Sequence, residues 1–115
     1  MGGQIKTVNL EEGMPTAERA IKRLTFELRS SGGKGVSGLK LIHGYGSSGT
    51  GGVLRREVRK YLENEKRRGR IRSFVTGEAF SIFDEETRTL LGCCPDFRND
   101  RDLERHNNGV TFVLL

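Results

Sequence analysis

At 115 residues the chain has room for one domain, since single domains usually run about 100 to 150 residues. Hydrophobic residues make up 34% and 16 glycines raise the apolar share towards the usual level of about 45–50%, enough for a small core, while a formal net charge of +5 points to a polyanionic partner. No apolar run approaches the roughly 18–20 residues of a membrane span, and Met1-Gly2-Gly3-Gln4 has neither the basic start nor the apolar stretch of a secretory signal, so a multi-domain machine and a membrane partner are excluded and a cytoplasmic protein is expected.

Ile5-Lys6-Thr7-Val8-Asn9-Leu10 alternates imperfectly with period two and predicts a first strand, with Ile5, Val8 and Leu10 on one side. Pro15 and Thr16 then open a helix in which Ala17, Ala20, Ile21, Leu24 and Leu28 recur at helical spacing, ending at Ser30-Ser31-Gly32-Gly33. Leu39-Lys40-Leu41-Ile42 predicts a short second strand, followed by the glycine- and serine-rich stretch 43–52. Leu54, Val58, Tyr61 and Leu62 form a second helical stripe that Gly69 closes after Lys66-Arg67-Arg68, where cations suit the negative end of the helix dipole. Ile71-Arg72-Ser73-Phe74-Val75 reads as a third strand and residues 84–94 as a short helix with Thr87, Leu90, Leu91 and Cys94 inward. The polar stretch Asp96–Asn108 is expected to be a mobile connection to a final strand at Val110–Leu115. The order β-α-β-α-β-(α)-β predicts a two-layer α/β sandwich, two helices on a mostly four-stranded mixed sheet, with the first three strands parallel. Adjacent Cys93 and Cys94 fit neither a Cys-x-x-Cys site nor a disulfide framework and are expected to be reduced core residues.

The charge is unevenly placed. Between residues 34 and 75 there are 11 Lys or Arg and 3 acids, whereas the rest of the chain holds 9 bases and 12 acids. A basic helix behind a glycine-rich loop is the pattern of an anion site, where small residues let backbone N–H groups approach phosphate oxygens. Gly44-Tyr45-Gly46-Ser47-Ser48-Gly49 also satisfies G-x-G-x-x-G, but the next strand ends at Val75-Thr76 instead of a ribose-binding acid, the helix before it is crowded with arginine, and no Gly-Lys-Ser/Thr completes a triphosphate P-loop.

Leu41-Ile42-His43-Gly44-Tyr45-Gly46, the glycine and serine insertion, and Gly52-Val53-Leu54-Arg55 leading into an amphipathic helix resemble the small MutS-related (Smr) domain family. Nearly the whole chain, from Ile5 to Leu115, follows that family's order of elements as one domain. The resemblance implies a fold similar to the C-terminal domain of translation initiation factor 3, binding of DNA or RNA, and in several members an endonuclease activity. Two departures stand out. Many members carry Leu-Asp-Leu-His-Gly at the first strand, where this chain has Val8-Asn9-Leu10-Glu11-Glu12-Gly13 and so lacks the histidine. The segment Gly77–Gly109 is longer than the family's usual connection, making residues 84–108 an elaboration of this branch.

On this reading His43 and Arg55 are the candidate catalytic residues, with Gly44, Tyr45, Gly46, Ser47, Ser48, Arg56, Arg59 and Lys60 contacting phosphate or bases. His43 has two roles open to it, proton transfer to a phosphodiester or ordering of the loop. Arg55 is placed to grip phosphate oxygens and Tyr45 to stack on an unpaired base or cover an apolar edge. Glu11 and Glu12 are candidates for holding Mg²⁺, with helix capping the commoner role for such acids, and Asp100, Asp102 and His106 form a second polar cluster. No ligand spacing is diagnostic, so no metal site is assigned, and Mg²⁺ or Mn²⁺ enters as cofactor only with a nuclease. Two functions compete: a nicking endonuclease hydrolysing phosphodiester bonds, and a DNA-, RNA- or ribosome-associated module without catalysis. A small nucleotide-binding protein is third.

Overall fold

The computed structural model describes residues 4–13, 15–44 and 51–115. In chain order its elements are β1 (Gln4–Asn9), α1 (Ala17–Gly32), β2 (Val36–Ile42), α2 (Gly51–Arg67), β3 (Ser73–Thr76), a 3-10 turn (Gly77–Ala79), α3 (Glu85–Cys93), a second 3-10 turn (Pro95–Asn99) and β4 (Val110–Leu114). Local chemistry sets the helix starts. The Thr16 hydroxyl accepts the Arg19 N–H at 3.2 Å, and the Asp84 carboxylate accepts the Thr87 N–H at 2.9 Å, each satisfying a first-turn donor that has no partner within its helix.

The strands form one sheet in the order β1-β2-β4-β3. β1 runs parallel to β2, while β4 lies antiparallel to both β2 and β3, so the three strands joined by α1 and α2 share one direction, as expected, with β4 inserted between the second and third. Side chains of a strand alternate between faces, and here both faces are apolar. Val8, Leu39, Leu41 and Val113 point to one side and pack with Ala20 and Leu24 of α1 and Leu54, Val58 and Leu62 of α2. Val75, Val110, Phe112 and Leu114 point to the other and pack with Phe80, Leu90, Leu91, Cys94 and Phe97. Ile5 joins this second side, opposite to Val8 and Leu10. The two sides of a strand separate odd from even positions, which is why the expected grouping of Ile5 with Val8 fails.

The expected α/β sandwich is therefore present, and its second face is closed by α3 and the two 3-10 turns. Phe112 is the centre of that closure: its ring stacks on Phe80 at 3.9 Å between centroids and meets Phe97 edge-on at 5.3 Å. A buried aromatic ring removes about 150–250 Å² from water, worth roughly 4–6 kcal/mol at about 25 cal/mol per Å² as an upper bound.

Residues 96–108, expected to be mobile, are anchored instead. Phe97 is buried, and Lys40, which projects from β2 into this side, pairs with Asp100 at 2.9 Å and Asp102 at 2.7 Å. Composition alone marked the stretch as polar, but its acids serve a lysine sixty residues away. Cys93 and Cys94 are both free thiols, Cys94 fully buried.

Close approach of the 3-10 turn to β2 depends on Gly38. A Cβ there would stand 2.7 Å from the Phe97 ring and 2.9 Å from Cys94 Sγ. Gly38→Ala is expected to lower stability in urea titration by about 1–3 kcal/mol, the usual range for overpacking, and Phe97→Leu in the same chain is expected to recover part of the loss.

Candidate functional site

β1 and β2 are parallel and end on the same side of the sheet, and open α/β sheets bind ligands outside such carboxyl ends. His43 is the first residue beyond β2. The N–H groups of His43 and Gly44 both donate to the Gly109 carbonyl at 3.0 Å, which ties this turn to the start of β4. Gly44 has φ +76°, in the left-handed region that favours glycine, and the Glu11 carboxylate occupies the space that a Cβ would fill. Backbone conformation thus demands glycine at this position, while the exposed Glu11 side chain could swing aside from a Cβ.

His43 is fully buried. Its Nδ1 lies 2.8 Å from the Gly44 carbonyl and its Nε2 lies 2.8 Å from the Thr111 hydroxyl. A carbonyl only accepts, so Nδ1 carries the proton. Burial depresses the imidazole pKa to about 4, with the positive charges of Arg59 and Arg55 adding to the effect against the opposing bond to Gly44. The ring is consequently neutral near pH 7, Nε2 accepts, and the Thr111 hydroxyl donates to it. That leaves the hydroxyl oxygen as acceptor for Arg59 Nε, 3.2 Å away. Donor and acceptor roles are thereby fixed from α2 through β4 to the end of β2.

The rest of the Arg59 guanidinium is also committed. Nη1 and Nη2 donate to the two Glu78 oxygens at 2.9 and 2.7 Å, and Nη2 also reaches the carbonyls of Val110 at 3.3 Å and Asn108 at 3.5 Å. Burial raises the Glu78 pKa, but the Arg59 hydrogen bonds, the residue's own backbone N–H and nearby guanidinium charge outweigh it and hold the carboxyl below its ordinary value. Arg59, expected to contact phosphate, is an internal strut.

Other cations of α2 are differently placed. With about 100° between successive helical residues, Leu54, Val58, Tyr61, Leu62 and Glu65 make the inward stripe, Arg55 and Lys66 flank it beside Arg59, and Arg56, Arg67 and Lys60 continue round to solvent. Glu63 is the single acid on that arc. Among the described residues none of Arg55, Arg56, Lys60, Lys66, Arg67 and Arg68 makes an ion pair, whereas Lys6, Lys22, Arg23, Lys40, Arg59 and Arg70 all do. Arg55 is half-buried one turn into the helix, and the others are exposed.

Tyr45, Gly46, Ser47 and Ser48, expected to contact phosphate or bases, lie outside the described residues. The structure brings together His43, Gly44, Arg55 and Arg59; Arg56 and Lys60 face outward on the same helix. Members of the second polar cluster are engaged with different partners: Asp100 and Asp102 hold Lys40, while His106 Nδ1 donates to the Glu78 carbonyl at 3.1 Å. No group of three or more His, Cys, Asp or Glu side chains among the described residues is arranged to hold a metal ion. Thr111 and Glu78 escaped the sequence reading. Thr111 is a lone hydroxyl in an otherwise apolar strand, which was the available signal for a buried polar partner.

A family model described as Smr domain matches residues 12–80, from just after β1 to the first 3-10 turn. Among solved structures, the crystal structure of the Smr domain of Thermus thermophilus MutS2 is similar, with a TM-score of 0.58 and 25% sequence identity over 96% of this chain and 96% of that one. No curated protein matches the chain.

The buried imidazole gives a signed pH dependence. Its ordinary value near 6.5 holds in the unfolded chain and about 4 in the folded one, so between those limits the unfolded state binds the extra proton. Stability is complete above about 6.5 and declines as pH falls towards about 4, by up to about 3 kcal/mol from this group. Thermal unfolding followed from pH 7.5 to 4 checks it: the slope is expected to flatten in His43→Gln. Thr111→Val, which leaves two donors or acceptors unpaired, is expected to cost about 1–3 kcal/mol at neutral pH.

Proposed function

The chain belongs to the Smr domain family, and we propose that it binds the backbone of DNA or RNA through α2 and the turn that precedes it, in the cytoplasm. One observation carries this reading: the six cations of α2 and its end that pair with no acid among the described residues run along the helix from Arg55, whose charge reaches His43, to Arg68, while Arg59 is spent inside the fold. Seventeen helical residues span about 25 Å at 1.5 Å each, long enough to run past several phosphates. Lysine and arginine left without internal partners release counterions when they meet phosphates, which drives binding at moderate salt. No helix among the described residues is long and apolar enough to cross a membrane.

Binding without cleavage is the reading the site favours. Proton transfer requires a group with a free lone pair or a labile proton at the reacting atoms. The His43 ring has its lone pair on the Thr111 hydroxyl and its proton on the Gly44 carbonyl, and the first-strand histidine of many family members is replaced by the Val8–Gly13 sequence. His43 then serves as a positioning residue that holds the turn. The hydrolytic reading keeps one specific support, the closeness of Arg55 to His43, through which a seated phosphodiester would meet a guanidinium suited to developing negative charge.

Fluorescence anisotropy with labelled duplex DNA, single-stranded DNA and RNA tests the binding. The affinity is expected to fall with salt at a logarithmic slope of about −3 to −5, consistent with four to six phosphates, and Arg56→Ala or Lys60→Ala is expected to reduce that slope by about 1. A salt-independent affinity overturns the proposal. In the same preparations supercoiled plasmid is expected to be retarded but intact with or without Mg²⁺ or Mn²⁺; nicking that disappears in Arg55→Ala would establish hydrolysis instead.

A further inference from the structure

Beside the His43-Gly44 turn, a cavity of about 150 Å³ opens between the ends of β1 and β2 and the segment that leads into β4. Its walls include Glu11, Lys40, Gly44, Arg101, Asp102 and Asn107. The floor is internally satisfied. Lys40 pairs with Asp102 at 2.7 Å, the Asn107 side-chain amide donates to Asp102 at 3.0 Å, and Asn107 Oδ1 accepts the Gly109 N–H at 2.9 Å. The rim is not: Glu11 and Arg101 are exposed, carry opposite charge and line the same space, yet neither side chain has a hydrogen bond or ion pair among the described residues. Arg101 is close enough to Asp102 to help hold that carboxyl below its ordinary value, against the larger upward pull of burial and together with hydrogen bonds from Lys40 and Asn107.

We propose that this cavity holds one guanine base, unstacked from the strand whose backbone lies along α2; the proposal rests on the nucleic-acid reading above. The volume suits a single planar heterocycle. Guanine presents two adjacent donors, N1–H and N2–H₂, on one edge and two adjacent acceptors, O6 and N7, on another. A carboxylate such as Glu11 matches the first pair and a guanidinium such as Arg101 matches the second. Adenine places the N1 acceptor against the carboxylate, and uracil flanks its one donor with two carbonyls, so both meet repulsion at Glu11. Cytosine offers one amino group and an acceptor beside it. Gly44 lies in the cavity wall and follows His43, whose ring is joined through the Thr111 hydroxyl to Arg59 of α2, so the cavity and that helix meet at this turn.

The test compares labelled uridine oligomers carrying one central guanosine, inosine, adenosine or cytidine, alongside guanosine monophosphate alone followed by calorimetry. Guanosine is expected to bind about ten- to a hundredfold tighter than adenosine, the usual discrimination of a bidentate base contact, with inosine between because it lacks the exocyclic amine. Glu11→Gln is expected to remove the preference without lowering the all-uridine affinity, whereas Arg56→Ala weakens every oligomer alike. Equal affinity for all oligomers overturns the guanine cavity and leaves backbone binding standing. Glu11-dependent binding of the monophosphate with no affinity for any oligomer overturns the backbone reading and supports the cavity. Absence of both overturns both.

Discussion

Arg59 holds the functional end of this fold together. One guanidinium joins α2 to the Thr111 hydroxyl and two carbonyls near the start of β4 and to Glu78 on the 3-10 turn after β3. Through Thr111 it sets the orientation of His43 at the end of β2. Each link has a defined donor and acceptor because the histidine is neutral and the last acceptor, the Gly44 carbonyl, cannot donate. The turn leading towards the glycine-rich stretch is therefore positioned by a buried polar chain as well as by its glycine. A charge that looks available in sequence is used for architecture, and the neighbouring cations inherit the contact with solvent.

A second polar device organises the opposite side of the sheet. Lys40 leaves a mostly apolar strand on the side of Phe112, its ammonium 5.7 Å from that ring's centroid, and is met by Asp100 and Asp102 from the segment before β4. Such a triad costs desolvation and offers geometric definition in return. It can only be satisfied when residues 100–102 sit over β2, so it selects one arrangement of a segment whose composition would suit many. The aromatic cluster around Phe112 contributes the bulk of the apolar burial there, and the ion pairs give that burial a register.

The two sides of the sheet carry different tasks. α1 and α2 cover one side and present outward the cations that pair with no acid among the described residues; α3 and the two 3-10 turns cover the other and bring Arg101, Asp102 and Asn107 to the same end as Glu11. Backbone and base contacts of a single strand would thus come from opposite layers that meet at Gly44. The segment between residues 84 and 108 closes the core and also builds most of one wall of the cavity.

Much of this was legible in the chain. Period-two and helical spacing placed the strands and helices within a few residues, the glycine-rich stretch before a basic helix pointed to one end of the sheet, and the helix at residues 84–94 was visible in its apolar spacing, because these are properties of neighbouring residues. What could not be read was which charges remain free. Arg55, Arg56, Arg59 and Lys60 are alike in sequence, and only the pairing of β4 between β2 and β3 brings Thr111, Glu78 and the Val110 carbonyl within reach of one of them. The same holds for Lys40 and for the face on which Ile5 falls. Local pattern determines the elements because backbone geometry is periodic; partner choice for buried polar groups is decided by tertiary contact, because a hydrogen bond requires a partner within about 3 Å, wherever in the chain it comes from.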